Sequence, residues 1–400
     1  MNERELGQVV FRTLDIMSSQ AVKEFQVPPQ THIGGGAIVR IGGAALSLGM
    51  KNAFIVIDEV VETLGLAEGM YRSLANSGVQ YRECRPPAGE PQSAVVEEEA
   101  RRFAESGCDG MIAIGGGSAM DASKAIAVLA ANPGLAVSDL RDPAKIRNPR
   151  MPLIAVPTTA GTGSEATSVT VISDSATHIK QVIGHPGLVP DLAIIDACLM
   201  LRVPPGVTAA TGVDAMVHSI ESYVATGATP LTRALAFQAL RQIGQALPMA
   251  VGRGDDVEAR ESMALASYMA GMAFSNSGLG LTHSMAHQIG PKYNVPHGMA
   301  NAVLLPSVMV FNELVCKKEF SDIGLALTGK LLSPGETIAT VRGLILDIGL
   351  PANLAAIGGR EEDFGAFADA ALQDYCLPTN PRTVNRNQII QVYQHALVRQ

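Results

Sequence analysis

The spacing of apolar positions changes midway along this chain. From Thr31 to about Pro190, short apolar runs end in Gly or Pro and give way to helix-like stretches. The runs at 53–57, 111–114, 153–156 and 192–195 predict strands, and 94–105 and 119–131 predict helices between them. Alternating strand and helix predicts an α/β unit with a largely parallel sheet. After about Asp196 the apolar stretches lengthen, and 209–225, 231–250, 259–274, 299–314, 337–348 and 389–398 predict helices. A boundary near 190–200 follows. It divides the chain into an α/β unit, 1–195, and an all-α unit, 196–400. Leu6, Val9, Val10, Leu14, Met17, Val22 and Phe25 predict one further amphipathic helix. It either lies on its own domain or docks to a partner or shell.

Composition adjusts this picture in three ways. Four hundred residues exceed one ordinary core, consistent with two domains. The chain is 47% hydrophobic and 17% charged, against roughly 25% charged in an average globular protein. That predicts large buried surfaces, including the interface of a homodimer or larger homo-oligomer. A net charge of -8 gives no electrostatic basis for binding nucleic acid or an anionic membrane. No apolar run reaches the ~18 residues of a membrane span. The N-terminal stretch carries acids early and lacks the apolar region of a signal peptide, which predicts a cytoplasmic protein. The five scattered cysteines form neither a disulfide framework nor a CxxC pair, and predict reduced, mostly buried thiols.

Two loops leave predicted strands with the chemistry of a phosphate cradle. Gly115, Gly116, Gly117 and Ser118 follow the run at 111–114 and precede a helix, with Ser118 a candidate cap. The sequence is not G-x-G-x-x-G, so the loop alone does not establish a dinucleotide site. Asp58 ends another predicted strand, where open α/β sheets bind ligands. There it either accepts hydrogen bonds from a ribose, favouring NAD over NADP, or simply caps the next helix. Thr158, Thr159, Thr162, Ser164 and Thr167 form a second hydroxyl-rich loop. It suits a pyrophosphate or ribose, or else a turn capped by its own side chains.

The histidines carry the second chemistry. Asp214 and His218 stand four apart on a predicted helix and share a face. His283 and His287 repeat that spacing, and His297 follows in a Pro-His-Gly turn. Asp214, His218, His283 and His297 make a nitrogen–oxygen set suited to Fe(II), Zn(II), Mn(II) or Co(II). His287, one turn from His283, reads as a proton relay or a support for the ligands rather than a fourth imidazole. Ser284 stands where a zincin glutamate belongs, so the pair is not that motif.

These residues lie in GGGSAMDASKAIA, PTTAGTGSEAT, GVDAMVHSIESY and GLGLTHSMAHQIGPKYNVPHGMANAVLLP. On those motifs the chain resembles the iron-dependent (group III) alcohol dehydrogenases from about Pro28 to Arg382. It looks most like the ethanolamine-utilization type of aldehyde reductase. The resemblance implies an N-terminal α/β domain holding NAD, a C-terminal helical domain holding Fe(2+), and an active site in the cleft between them. Zn(2+) or Mn(2+) would also suit the ligand set. It implies Asp214, His218, His283 and His297 as metal ligands and Asp58 as the ribose acid. It implies Gly116, Gly117, Ser118 and Asp121 at the pyrophosphate, and Thr158, Thr159, Thr167 and Lys180 as further cofactor contacts. His287 falls beside nicotinamide and substrate. Asn276, Ser277, Lys292 and Tyr293 fall in the pocket region, with Lys292 read as a surface residue. The implied activity is reduction of a small aldehyde to its primary alcohol, and the same resemblance extends to association with a bacterial microcompartment. Two rivals are a metal- and NAD-using lyase or cyclase on the same scaffold, and a packaged protein docking through its N-terminal helix.

Overall fold

The computed structural model describes residues 24–28, 30–85, 89–176 and 180–398. The helix pattern at 1–23 and His178 lie outside the described residues. Eight strands are present among the described residues: β1 (Gln30–Ile33), β2 (Asn52–Ile57), β3 (Gln80–Cys84), β4 (Gly110–Gly115), β5 (Leu153–Pro157), β6 (Val169–Ser173), β7 (Lys180–Gly184) and β8 (Leu192–Ile195). Six of them form one sheet in the order β1-β8-β5-β4-β2-β3, with every pairing parallel. The helices of this half are α1 (Ile41–Ser47), α2 (Glu59–Thr63), α3 (Glu68–Asn76), α4 (Ser93–Ser106) and α5 (Gly117–Ala131).

The sheet is covered on both faces, as parallel sheets require, and alternate residues of each strand feed opposite cores. Phe54, Val56, Met111, Ala113, Leu153 and Ala155 pack with Val96 and Phe103 of α4 and Ile126 of α5. Ile55, Ile57, Ile112, Ile114, Ile154 and Val156 pack with Ile41 of α1 and Met70 and Leu74 of α3. Each of the Val, Leu, Ile, Met and Phe side chains among them contributes about 1.5–3 kcal/mol by leaving water.

Chain progression reverses between β2 and β4. From β2 the chain moves outward to β3, and from β4 it moves the other way to β5. The ends of β2 and β4 therefore flank the switch point where such sheets hold ligands. Gly115 shapes this corner. Its φ is +155°, and a Cβ there would stand 2.8 Å from the Asp58 Cβ and 2.9 Å from the Ala119 Cβ.

Two features differ from the sequence expectation. β6 and β7 pair antiparallel as a separate hairpin, which the apolar pattern does not announce because Thr170, Ser173, Lys180 and Gln181 break up their apolar positions. β1 and β3 are short and mostly exposed edge strands, so neither shows a strong apolar run.

The last strand of the sheet ends at Ile195, and the next long element is helical. Nine helices follow among the described residues: α6 (Pro205–Val224), α7 (Pro230–Gly252), α8 (Val257–Ser277), α9 (Leu281–Tyr293), α10 (His297–Asn312), α11 (Lys317–Thr328), α12 (Pro334–Asp347), α13 (Phe364–Ala371) and α14 (Arg386–Leu397). Short 3₁₀ turns are the only other regular structure there. One core gathers around α6, α7, α8, α11 and α12. A second gathers around α9, α10, α13 and α14. No described helix is long and apolar enough to cross a membrane. All five cysteines are unpaired: Cys84, Cys316 and Cys376 are buried, Cys108 is partly covered and Cys198 is exposed.

Candidate active site between sheet and helices

A cleft of about 500 Å³ runs from the ends of the central strands to the helical half. On the sheet side it is lined by Gly117, Ser118, Asp121 and Thr167. Gly116 is the N-cap of α5 and supplies no side-chain cap. Ser118 is not the cap that its sequence position suggests; it lies inside the first turn of α5. The uncapped end leaves backbone N–H groups for an anion.

The remaining residues of this side divide by what they touch. Asp121 is partly buried; its carboxylate accepts from Ser164 Oγ at 2.6 Å and from the Val171 N–H at 2.9 Å. Thr167 Oγ1 accepts from Lys124 Nζ at 2.8 Å, and Ser164 Oγ does the same at 2.8 Å. Lys124 thus ties α5, the helix that follows the glycine loop, to the hydroxyl-rich loop. Burial pulls its ammonium down to about 8, against the attraction of Asp121 and Glu165. Lys180, on β7, pairs with Glu90 at the cleft wall. Asp58, Thr158 and Thr159 stand on the strand ends beside the cleft and outside its lining. Asp58 Oδ1 accepts from the Val60 N–H at 2.9 Å, so the residue does cap α2.

On the helical side, α6 supplies Asp214 and His218 one turn apart, both buried. α9 supplies His283 and His287. His297 is the first residue of α10 rather than part of a turn, with Pro296 as its N-cap. The glycine after it explains the motif. A Cβ on Gly298 would lie 1.9 Å from the Ala210 carbonyl oxygen, so only glycine lets α10 start against α6.

These helices bring ligand atoms of Asp214, His283 and His297 within 4.8 Å of one another. His283 Nε2 and His297 Nε2 lie 3.8 and 3.6 Å from Asp214 Oδ1. His218 lies outside that tight group but beside it. Its ring stacks on His283 at 4.6 Å between centroids and on Phe274 at 4.3 Å. Its Nδ1 faces the Gly161 carbonyl at 3.3 Å, which favours a proton there and a lone pair on Nε2.

Sequence reasoning missed the residues that orient this cluster. Glu221 lies one turn beyond His218 and accepts from His283 Nδ1 at 2.6 Å, the Thr282 N–H at 2.6 Å and the Gly280 N–H at 3.1 Å. One carboxylate thus caps α9 and frees His283 Nε2. The i, i+7 spacing from Asp214 was the available signal. Asn301 Nδ2 lies 2.7 Å from Asp214 Oδ1 and 3.3 and 3.2 Å from Nε2 of His283 and His297. Its buried Oδ1 has no hydrogen-bond partner among the described residues. Asp374, which nothing in the sequence marked, lies 2.8 Å from His287 Nδ1.

The charges fit a divalent cation. Burial works against ionisation of Asp214, but His218, His297 and His283 overcome it and hold the carboxylate well below its usual range. Burial pushes His218 down to about 4 and lowers His297 as well, so both imidazoles offer lone pairs. Burial also opposes charge on His283, but hydrogen bonds to Asp214 and Glu221 outweigh it and push it up to about 9. Only His283 therefore holds a proton that a bound cation has to displace.

Of the expected pocket residues, Asn276 and Ser277 line the cleft. Lys292 and Tyr293 do not. Lys292 is half exposed, 3.4 Å from Asp363, and the Tyr293 hydroxyl donates to Asp363 at 2.9 Å.

A doubly wound sheet opening onto a carboxylate–imidazole cluster defines the class: a nucleotide-binding fold joined to a site for a divalent metal. Residues 28–197 match the model for iron-containing alcohol dehydrogenases, and residues 208–397 match that for the C-terminal part of the same family. The chain is 48% identical over 394 residues to the probable alcohol dehydrogenase EutG of Salmonella typhimurium, covering 98% of this chain and 100% of that one. It is 40% identical over 380 residues to an NAD-dependent methanol dehydrogenase of Bacillus methanolicus, covering 93% and 99%. A crystal structure of a 1,3-propanediol oxidoreductase superposes with a TM-score of 0.91 at 36% identity, covering 94% and 100%. The chain belongs to the iron-containing alcohol dehydrogenase family.

Proposed function

We propose that the chain interconverts a small aldehyde and its primary alcohol, mainly as the reductase, with NADH as the second substrate. The observation that carries this reading is one cleft with a bare helix N-terminus on one wall and a carboxylate–imidazole cluster on the other. Residues 1–195 would bind the nucleotide and 196–400 the metal.

Asp214, His218, His283 and His297 would hold the metal, and Glu221 keeps His283 Nε2 turned toward it. The N–H groups of Gly116, Gly117 and Ser118 would receive the pyrophosphate. Asp121 braces that loop through Ser164 and β6. Thr158, Thr159, Thr167 and Lys180 are the further cofactor contacts. Asp58, beyond its capping bond, has a second carboxylate oxygen for ribose hydroxyls and repels a 2′-phosphate. When bound, the nicotinamide supplies a hydride and Fe(2+) supplies Lewis-acid charge at the carbonyl oxygen. Asp374 fixes the proton of His287 on Nδ1 and leaves Nε2 to exchange a proton with the product oxygen. Phe274 and Leu279 keep water from that region of the cleft.

Low charge content supports a homodimer or larger homo-oligomer. The likeness to the ethanolamine-utilization type extends the reading to a bacterial microcompartment, reached through the helix-patterned N-terminal segment.

The direct test is NADH oxidation by protein of known iron content over a panel of small aldehydes such as acetaldehyde, propanal and lactaldehyde. Turnover that scales with iron supports the proposal, and no NADH consumption with any aldehyde rejects it. In the same assay, Asp58→Gly is expected to narrow the preference for NADH over NADPH. An unchanged preference removes Asp58 from the ribose site.

A further inference from the structure

We propose that His287, Asp374 and Cys376 form a second metal site in the same cleft, selective for a thiophilic divalent ion such as Zn(2+) or Cd(2+). One ligand atom from each lies within 4.8 Å of the others, separate from the Asp214–His283–His297 group. His287 Nδ1 and Asp374 Oδ2 are already 2.8 Å apart. The Cys376 N–H donates to Asp374 Oδ1 at 2.9 Å, which folds the Asp-x-Cys segment so that thiol and carboxylate meet the imidazole on one side.

The frame around the three residues is fixed. Ser284 Oγ donates to the Ala371 carbonyl at 2.7 Å and ties α9 to the end of α13. Thr379 Oγ1 donates to the Leu279 carbonyl at 2.7 Å and closes the other side. Cys376 is only 6% exposed, yet it and His287 both line the cleft, so an ion reaches them from solvent.

Donor type separates the two clusters. The first offers only nitrogen and oxygen, whereas this one adds a thiolate, which favours Zn(2+) and Cd(2+) over Fe(2+). A tetrahedral ion needs its ligand atoms roughly 3.4–3.6 Å apart, a spacing within the 4.8 Å over which these atoms already gather. Binding forms bonds from the ion to imidazole Nδ1, carboxylate oxygen and sulfur. The Nδ1 proton passes to Nε2 by exchange with solvent, the thiol proton is released, and water fills the fourth position. The metal site itself rests on these three residues. Its effect on turnover rests on the role proposed above for His287, whose bond to Asp374 the ion replaces.

The experiment is an anaerobic titration of the iron-loaded, reduced protein with Cd(2+), following the ultraviolet thiolate-to-cadmium band, bound metals and NADH oxidation together. The expected result is one cadmium per chain with the band, iron retained, and activity falling in step. Cys376→Ser is expected to lose the band and weaken binding at least ~10-fold, and Asp374→Asn to weaken binding while keeping the band. Iron released in proportion to cadmium bound, or undiminished cadmium affinity in Cys376→Ser, overturns the site. A band that grows with iron and activity intact upholds the site and instead removes His287 from proton transfer.

Discussion

His283→Ala is expected to abolish metal binding and nearly all turnover while the protein stays folded. His283 is 2% exposed and stands at the centre of the cluster, beside Asp214, His218, His297 and Asn301. Removing the imidazole takes away one ligand and strands Glu221, whose carboxylate then keeps only the α9 backbone N–H groups. Losing an outer hydrogen-bond partner of a ligand typically costs roughly 10–100-fold in metal affinity or activity, and losing the ligand itself is expected to cost more. Global stability should survive. The α6 and α9 cores keep their apolar contacts, and Glu221 still caps α9 at the Gly280 and Thr282 N–H groups. Metal analysis, circular dichroism and NADH oxidation on one preparation check this. Retained iron and rate would remove His283 from the ligand set.

His287→Asn is the complementary case. Iron content is expected to hold, because the ring stacks beside His297 at 5.3 Å between centroids and its Nδ1 is committed to Asp374. Turnover is expected to fall roughly 10²–10⁴-fold, the usual contribution of a positioned acid or base. Asp374→Asn should give a smaller loss in the same direction, since it loosens the ring rather than removing it. Steady-state rates with matched iron content test both. Full activity in His287→Asn would leave proton transfer to water alone.

The periodic parts of the chain were legible in its sequence. The central strands β2, β4, β5 and β8 are buried on both faces and read as continuous apolar runs. The edge strands and the β6–β7 hairpin were not, because exposure permits Gln, Thr, Arg and Lys on them. At the site, the residue types with obvious ligand chemistry were identifiable, and Asp214–His218 announced itself by spacing. The residues that aim them were not. Glu221, Asn301 and Asp374 act by contacts across 62, 87 and 87 positions of chain, and apart from the i, i+7 spacing of Glu221 from Asp214 nothing local marks such a pairing. Ser118 and His297 were misplaced by a residue or two. The exact start of a helix depends on backbone geometry that the motif does not carry, here the bare Gly116 cap and the Pro296 turn.

Hydride transfer from NADH to an aldehyde carbon in the cleft is the step on which the proposed function turns. The most direct measurement uses NADH carrying deuterium at the transferring face of C4, iron-loaded protein and propanal, with the product analysed by mass spectrometry. One deuterium is expected on the carbinol carbon of propanol, with stoichiometric NADH consumption and no transfer in His283→Ala. Propanol without deuterium, or aldehyde conversion without NADH consumption as in a lyase, would contradict that step.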